Sequence, residues 1–380
     1  MRILYVIRSL AVWGGIERVL VEKINLLVNK YGYEVFVLTS DQGNHPIPYQ
    51  LDPKVHIKDL GIRFHQQYQY HGLKRLLVEK RLKRLFKRRL SSYLRTIHPD
   101  VIVCTSANYV DINILAGLKG NTPLVVEVHS IFRQTIGCPG LRNRYADFMY
   151  RRGLKKAACI VVLTKIDAED WRQIHPHVEV IPNIVHLNNG NISTLDNKRV
   201  IWVGRFDYQK RPMEMIDIWK MLHPRFPDWH LDIYGEGELR QELEAAAKIK
   251  DMNIHIHQPT EHIFDAYRDS SILVSTSLYE PFGLVIPEAM SCGLPVVAYD
   301  CPYGPASFLH DGVFLIPLNN KFTFAERLSE LINDSVLRRQ MGDRGIVLSK
   351  EYDPARIMPI WISLFSKIVS GNEEKLEIFS

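Results

Sequence analysis

The chain has 380 residues, of which 46% are apolar and 24% are charged, with a formal net charge of +6. This composition is typical of a globular protein with sizeable cores, and it excludes a wholly disordered, collagen-like or disulfide-stapled chain. Two domains are expected at this length. No apolar run approaches the roughly 18 residues of a membrane span, and no signal-peptide cleavage site follows the N-terminus. The five cysteines form no C-x-x-C pair. We therefore expect a cytoplasmic protein without disulfides or a zinc site.

Short β-branched runs alternate with helical segments, which is typical of parallel sheets covered by helices on both faces. The first half contains strand candidates at 3–7, 34–39, 100–105, 124–128, 159–164 and 178–182. The pattern restarts at 200–204, 230–234, 253–257, 271–277, 295–299 and 313–318. It predicts an α/β fold of two Rossmann-like, doubly wound domains that face each other across a cleft.

The domain boundaries follow from an Asn-rich segment in the middle of the chain. We predict an N-terminal domain over 1–183, a linker over 184–198 and a second domain over 199–355. The apolar stretch that begins at 356 predicts a C-terminal helix over 356–380, which could cross back to the first domain.

A strongly basic segment lies at 74–95, where ten Lys and Arg stand against the single acid Glu79. At about 100° per residue, the apolar side chains fall on one side of a helix and most basic ones on the other. The apolar stripe is Val78, Leu82, Leu85, Phe86, Leu90, Tyr93 and Ile97. The basic face is either simply solvated or held against anionic lipid headgroups. Nucleic acid is disfavoured as a partner, because no RNA-binding aromatic motif or helix-turn-helix accompanies the charge. The membrane-facing candidates are Lys80, Arg81, Arg84, Lys87 and Arg88.

Glycine turns follow the first strand of each predicted domain. Gly14 and Gly15 precede the helical segment 16–28, where backbone N–H groups could meet an anion, although a plain tight turn explains them equally well. The missing G-x-G-x-x-G argues against a dinucleotide site. In the second domain, Gly204 is followed by Arg205 and Lys210, a pair of cations suited to a diphosphate. An exposed basic loop is the alternative.

The segment 277–300 carries two carboxylates on either side of a glycine turn. Glu280 follows a strand, and Glu288 lies on the helix that comes after the Phe282–Leu284 turn. Exposed amides at a helix start favour phosphate, whereas carboxylates repel it and are better acceptors for sugar hydroxyls. The pattern therefore suits phosphate at the turn and sugar hydroxyls at the two carboxylates, and a purely structural use of either carboxylate is the alternative.

These motifs together resemble the retaining glycosyltransferases of the GT-B fold, specifically family 4 of the bacterial polysaccharide and lipopolysaccharide type. The resemblance rests on an E-x7-E spacing (Glu280, Glu288), GR-x4-K (Arg205, Lys210), GG-x-E-R (Gly14, Gly15, Glu17, Arg18), His129 in EVHS, and DCPYGP at 300–305. The matches run from residue 1 to about 317 in family order.

The resemblance implies a role for each of these residues. Arg205 and Lys210 would hold the donor diphosphate and stabilise charge on the leaving nucleotide. Glu288 would accept hydrogen bonds from the ribose, and Glu280 would bind hydroxyls of the transferred sugar.

Backbone groups and one histidine complete the implied site. The amides of Phe282, Gly283, Leu284 and Val285 would meet sugar and phosphate, and Gly14 and Gly15 would let the first domain close over the donor. His129 would contact the donor sugar near the reacting carbon.

The implied reaction is metal-independent transfer, with retention, of a hexose or N-acetylhexosamine from a nucleotide-sugar, UDP-linked by frequency among such enzymes. No cofactor is expected, and the acceptor would be a glycan or lipid-linked glycan at the inner face of the cytoplasmic membrane. Two alternatives remain: a nucleotide-sugar epimerase of the same fold, and a non-enzymatic adaptor that binds membrane or nucleic acid through the basic helix.

Overall fold

Two parallel sheets organise the chain in the computed structural model, which describes residues 1–105, 108–136, 140–248, 252–307 and 314–377. Unit 1 comprises Met1–Pro182 and Met358–Ser380, and unit 2 comprises Asn183–Ile357. The prediction of two doubly wound α/β domains is confirmed. Cys138, Val313 and residues 378–380, on which sequence predictions also fell, lie outside the described residues.

Unit 1 contains a seven-stranded parallel sheet with strand order β3-β2-β1-β4-β5-β6-β7. Its strands are β1 (Arg2–Ile7), β2 (Glu34–Thr39), β3 (His56–Asp59), β4 (Val101–Cys104), β5 (Leu124–Glu127), β6 (Cys159–Val162) and β7 (Val178–Val180). Its helices are α1 (Gly15–Asn29), α2 (Gly72–Ile97), α3 (Tyr109–Leu118), α4 (Phe132–Thr135), α5 (Leu141–Leu154) and α6 (Lys165–Arg172). Strand β3 escaped the sequence prediction because it is an edge strand whose side chains are largely exposed.

Unit 2 contains a six-stranded parallel sheet with strand order β10-β9-β8-β11-β12-β13. Its strands are β8 (Arg199–Val203), β9 (His230–Tyr234), β10 (Ile254–His257), β11 (Ile272–Ser275), β12 (Val296–Asp300) and β13 (Phe314–Pro317). Its helices are α7 (Pro212–Leu222), α8 (Arg240–Lys248), α9 (Ile263–Arg268), α10 (Val285–Ser291), α11 (Lys321–Asn333) and α12 (Ser335–Ser349). All six strands predicted for this half are present, and the inner strand β11 is the continuous apolar run that a parallel sheet favours.

The segment 184–198, predicted as a linker, belongs to unit 2 and carries no helix or strand. Three of its apolar residues, Ile184, Val185 and Leu195, are buried, whereas Ile192 is exposed. The backbone N–H of Ser193 donates to the carbonyl of Cys292 at 2.8 Å. The Asn-rich segment therefore packs on unit 2 through a few buried apolar side chains that are widely spaced along it.

Helix α13 (Pro354–Glu377) begins in unit 2, and its residues from Met358 onward belong to unit 1. Met358, Trp361 and Phe365 are all buried. Helix α13 therefore contributes buried apolar side chains to unit 1.

Helix α2 buries one stripe and exposes its basic face, as its periodicity predicts. Leu82, Phe86, Leu90 and Ile97 are buried in the core of unit 1, whereas the five membrane-facing candidates are exposed. Arg89, which falls outside the predicted stripe, donates to the carbonyls of Leu60 and Gly61.

The first turns of α2 also expose leucines. Leu73, Leu76 and Leu77 are 80%, 54% and 67% exposed. Across the part of the chain that the structure describes, no helix is both long and apolar enough to cross a membrane.

Candidate active site

Lys210 and Glu280 form an ion pair in unit 2. Lys210 follows β8 and Glu280 follows β11, and these two strands are neighbours in the sheet. Their loops leave the same edge of the sheet, which is where doubly wound folds bind ligands. Both side chains are largely buried, and Ser277 Oγ lies 3.3 Å from the same Glu280 oxygen. Two sequence motifs predicted separately therefore meet in one charged pair.

Hydrogen bonds fasten the loop after β8 to the loop after β11. Trp202 Nε1 donates to Thr276 Oγ1 at 3.0 Å, and that hydroxyl donates to the Arg211 carbonyl at 2.9 Å. The backbone N–H of Leu278 donates to the Gln209 carbonyl at 2.8 Å. These bonds hold the backbone on both sides of Lys210, and the ion pair with Glu280 orients its ammonium group.

Arg205, the other predicted diphosphate ligand, is mostly exposed. Its guanidinium bonds Asp207 at 2.7 Å and Gln209 Oε1 at 2.9 Å. An exposed pair of this kind contributes little to stability. The side chain can therefore exchange these partners for an anionic ligand at small cost.

The turn that carries Glu280 is backed by the segment 300–305. Glu280 and Tyr303 form a parallel bridge, and the Glu280 N–H donates to the Pro302 carbonyl at 3.2 Å. A Cβ on Gly304 would lie 2.6 Å from the Phe282 carbonyl oxygen and 2.7 Å from that of Glu280. Gly283 has φ +92°, a left-handed value that favours glycine. The two glycines let two backbones pack closely behind the Glu280 carboxylate.

Glu288 lies on α10 and is buried. The Tyr267 hydroxyl donates to its carboxylate at 3.4 Å, and the Ser291 hydroxyl donates to its carbonyl at 2.6 Å. Phe282, also buried, contacts the ring of Tyr352 edge-on with centroids 5.5 Å apart. Both carboxylates of the E-x7-E pattern are therefore removed from bulk solvent.

In unit 1, His129 belongs to a buried charged cluster that the sequence analysis did not find. His129 Nε2 lies 3.3 Å from Glu127 Oε1, and the same carboxylate forms an ion pair with Lys23. Burial alone would raise the pKa of Glu127, but Lys23 and His129 favour the carboxylate and lower it to about 2. Glu127 is therefore charged at any physiological pH.

Trp361 completes this cluster from the C-terminal helix. Lys23 Nζ lies 4.0 Å from the centre of the Trp361 ring, close enough for a cation–π contact. The available signal was a charged residue inside each of two apolar patterns: Lys23 on the buried face of α1, and Glu127 at the end of β5. Such residues are almost never buried without a partner.

Gly14 caps α1, and Gly15 is its first residue. The Gly14 carbonyl accepts a hydrogen bond from the Tyr49 hydroxyl at 3.1 Å, and the Tyr49 ring lies 5.2 Å from that of Trp13. Trp13 is half exposed. The predicted glycine turn is present, with an aromatic side chain displayed beside it.

A cavity of about 410 Å³ opens in unit 1, and one of its lining residues, Ser130, directly follows His129 in the chain. Several polar residues contribute to its lining, among them Asn108, Ser130, Gln134, Thr135, Asp147 and Tyr150. Amide, hydroxyl and carboxylate groups beside an aromatic ring are the chemistry that binds a sugar. These residues lie on loops and helices from the end of β4 through α5, where no sequence pattern predicted a site.

Two family profiles match the chain. Residues 13–189 match "Glycosyltransferase Family 4" and residues 189–347 match "Glycosyl transferases group 1". They meet at residue 189 and leave only the two ends of the chain uncovered.

Curated relatives and solved structures agree with these profiles. An uncharacterized glycosyltransferase of Haemophilus influenzae is 28% identical over 92% of this chain and 95% of its own length. The amylovoran biosynthesis glycosyltransferase AmsD of Erwinia amylovora is 26% identical over 95% of this chain and 98% of its own. A crystal structure of S. aureus TarM in complex with fondaparinux, α-GlcNAc-glycerol and UDP superposes with a TM-score of 0.76, at 16% identity, over 96% of this chain and 99% of that one.

Proposed function

Because this chain belongs to the group 1 glycosyltransferases of family 4 and has the GT-B fold, we propose that it transfers a sugar from a nucleotide-sugar to a glycan or lipid-linked acceptor in cell-surface polysaccharide synthesis. The amylovoran enzyme, similar over nearly its whole length, supports the polysaccharide role. The epimerase and adaptor alternatives are not favoured by any of these matches.

The Lys210–Glu280 pair is the observation that carries the proposal. Without a donor, Glu280 neutralises the largely buried Lys210 ammonium. A donor diphosphate would take over that neutralisation and leave the Glu280 carboxylate to accept hydrogen bonds from the transferred sugar. Glu288 would bind the ribose, and the amides of the Phe282–Val285 turn would meet sugar and phosphate.

Charge that develops on the leaving nucleotide would be stabilised by Lys210 and Arg205. The largely buried Lys210 is a preorganised cation that would act strongly on developing charge, and the proposed transfer uses no metal ion. Lys210 is fixed in place, whereas Arg205 would leave Asp207 and close on the diphosphate.

Retention of configuration is the proposed stereochemical course. The acceptor hydroxyl would attack the anomeric carbon on the face from which the diphosphate departs. The bond between the anomeric carbon and the diphosphate oxygen breaks as the new glycosidic bond forms. The departing oxygen takes the proton of the acceptor hydroxyl. Glu280 is assigned to binding the transferred sugar, and no covalent glycosyl–enzyme intermediate is proposed.

His129 is proposed as a catalytic residue, with Glu127 as a positioning residue that acts through it. The Glu127 carboxylate faces Nε2 at 3.3 Å, so it would influence the orientation of the ring. The polar cavity beside Ser130 is proposed to take the acceptor sugar.

The donor is proposed to be a UDP-linked hexose or N-acetylhexosamine. UDP accompanies the S. aureus TarM structure, whose fold this chain shares. A thermal-shift panel of UDP, GDP, ADP and CMP, without metal and then with EDTA, tests both base and metal independence. A melting temperature raised by one nucleoside diphosphate in EDTA is expected, and no shift with any of them would contradict the proposal.

A peripheral position on the cytoplasmic face of the membrane is proposed through α2. Leu76 and Leu77 lie about one helical turn after Leu73, and all three are exposed on the part of α2 that precedes the five basic candidates. Leucines that enter the acyl boundary and cations that meet anionic headgroups are the two components of an interfacial helix.

A further inference from the structure

Strands β9 and β10 place an aspartate and two histidines together on one face of the unit 2 sheet. Asp232 is paired with His255 in the register, and His257 follows two residues later on the same face. His257 Nε2 lies 2.8 Å from Asp232 Oδ1, and His255 Nδ1 lies 3.3 Å from the same oxygen. The three ligand atoms all lie within 4.8 Å of one another.

The surroundings hold these side chains in place. The Tyr234 ring stacks on His257 at 4.2 Å with an interplanar angle of 12°, and the His230 ring stacks on His255 at 5.4 Å. Arg199 bonds the other Asp232 oxygen at 3.3 Å, so the carboxylate is oriented from behind. Within the described residues, the buried Nδ1 of His230 has no hydrogen-bond partner.

We propose that Asp232, His255 and His257 form a binding site for a divalent transition-metal ion, with Zn²⁺ as the ion that fits best. Imidazole nitrogen and carboxylate oxygen are ordinary Zn²⁺ ligands, and tetrahedral bonds of about 2.0–2.1 Å place such atoms about 3.3 Å apart. The separations to Asp232 Oδ1 match this within a small side-chain shift. His255 and His257 are partly exposed, which leaves the fourth position to water.

The three side chains converge on one point of the sheet face. Two ring nitrogens approach Asp232 Oδ1, whereas Oδ2 faces Arg199. A single metal ion between these atoms would be coordinated by all three side chains. It would also join the edge strand β10 more firmly to unit 2, since among the described strands β10 pairs only with β9. None of these residues belongs to the proposed donor site, so this inference stands independently of the transferase proposal.

The experiment uses untagged, EDTA-treated and dialysed full-length protein, titrated with Co²⁺ and followed by visible absorption, with Zn²⁺ as competitor. We expect a saturable spectrum from about one Co²⁺ per chain that Zn²⁺ bleaches. His255→Ala and His257→Ala should each weaken Co²⁺ binding at least tenfold, because each removes a ligand. His262→Ala, which removes an exposed histidine elsewhere in unit 2, should not change it.

Two results would overturn the site. One is the absence of any saturable Co²⁺ spectrum in the native chain at neutral pH. The other is a spectrum that survives in the H255A/H257A double variant with unchanged affinity. Thermal shift by UDP, measured on the same samples, reports separately on the donor site and is expected to be equal with and without Zn²⁺.

Discussion

His129 Nε2 and Glu127 Oε1 lie 3.3 Å apart in the interior of unit 1, and the same carboxylate pairs with Lys23. A histidine proposed to act in catalysis is therefore backed by a carboxylate that is itself neutralised by a buried ammonium. Because Lys23 and Glu127 are both buried, the loss of either charge would leave the other buried without a counter-charge, at a large desolvation cost.

Glu127→Gln should destabilise the protein by about 3 kcal/mol, because it leaves the Lys23 ammonium buried without a counter-charge. Urea unfolding measures the change, and Glu179→Gln on the exposed side of β7 is the matched control. The double variant K23M/E127L should recover most of the loss. Equal stability of E127Q and the native chain would show that the pair carries no buried charge.

Glu280→Gln should lower turnover about 100-fold or more while nucleotide binding stays largely intact, because the carboxylate is assigned to the transferred sugar. Steady-state kinetics and UDP titration separate the two effects. Glu261→Gln, an exposed acid of unit 2, is the control. If E280Q bound no nucleotide at all, the assignment of roles would be wrong.

Arg205→Ala should weaken UDP binding about tenfold or more without changing the melting temperature of the free protein. The reason is that its present partners, Asp207 and Gln209, form only exposed contacts. Calorimetric titration and thermal unfolding test the two halves of this statement. An unchanged affinity would remove Arg205 from the donor site.

Alanine at Lys80, Arg84, Lys87 and Arg88 together should weaken binding to anionic vesicles about 1000-fold at low salt, at about 1 kcal/mol per basic residue. Serine at Leu73, Leu76 and Leu77 should weaken binding also at high salt, where charge is screened. Vesicle sedimentation measures both, with neutral vesicles as the control. Unchanged binding of the alanine variant at low salt would contradict membrane docking by the basic face.

Asp167→Asn should make stability less dependent on pH. Burial raises the pKa of Asp167 from 3.8 to about 6, so its contribution is complete below about pH 4 and is lost as the pH rises through 6. The free energy of unfolding of the variant, relative to the native chain, should therefore rise by about 1–1.5 kcal/mol from pH 5 to pH 8. Urea unfolding across this range measures it, with the exposed Glu169→Gln as control. Parallel pH profiles for D167N and the native chain would exclude the shift.

Local periodicity was enough to predict the sheets and the amphipathic helix. Strands such as β4 and β6 are buried on both faces, and α2 repeats its apolar residues at helical spacing. The edge strand β3 lacks any such burial and was missed. Motif spacing within 277–300 likewise placed Glu280 and Glu288 correctly on their loop and helix.

Contacts between distant parts of the sequence were not predictable in the same way. Lys23 and Glu127 are 104 residues apart, and Lys210 and Glu280 are 70 apart. Strand order decides which of these ends meet, and no pattern within one element encodes it. Only part of the Asp232 cluster can be recognised in the sequence. His255 and His257 alternate on one strand, but the aspartate comes from the neighbouring strand.

The contact between Trp361 and Lys23 has a consequence for synthesis on the ribosome. Unit 1 is discontinuous, with about 175 residues of unit 2 between its two parts. At about 5–20 residues per second, roughly 9–35 s pass between the emergence of the first part and that of its last helix. During that interval the Lys23–Glu127 pair lacks its aromatic cover, so the domain that is translated first is the one completed last.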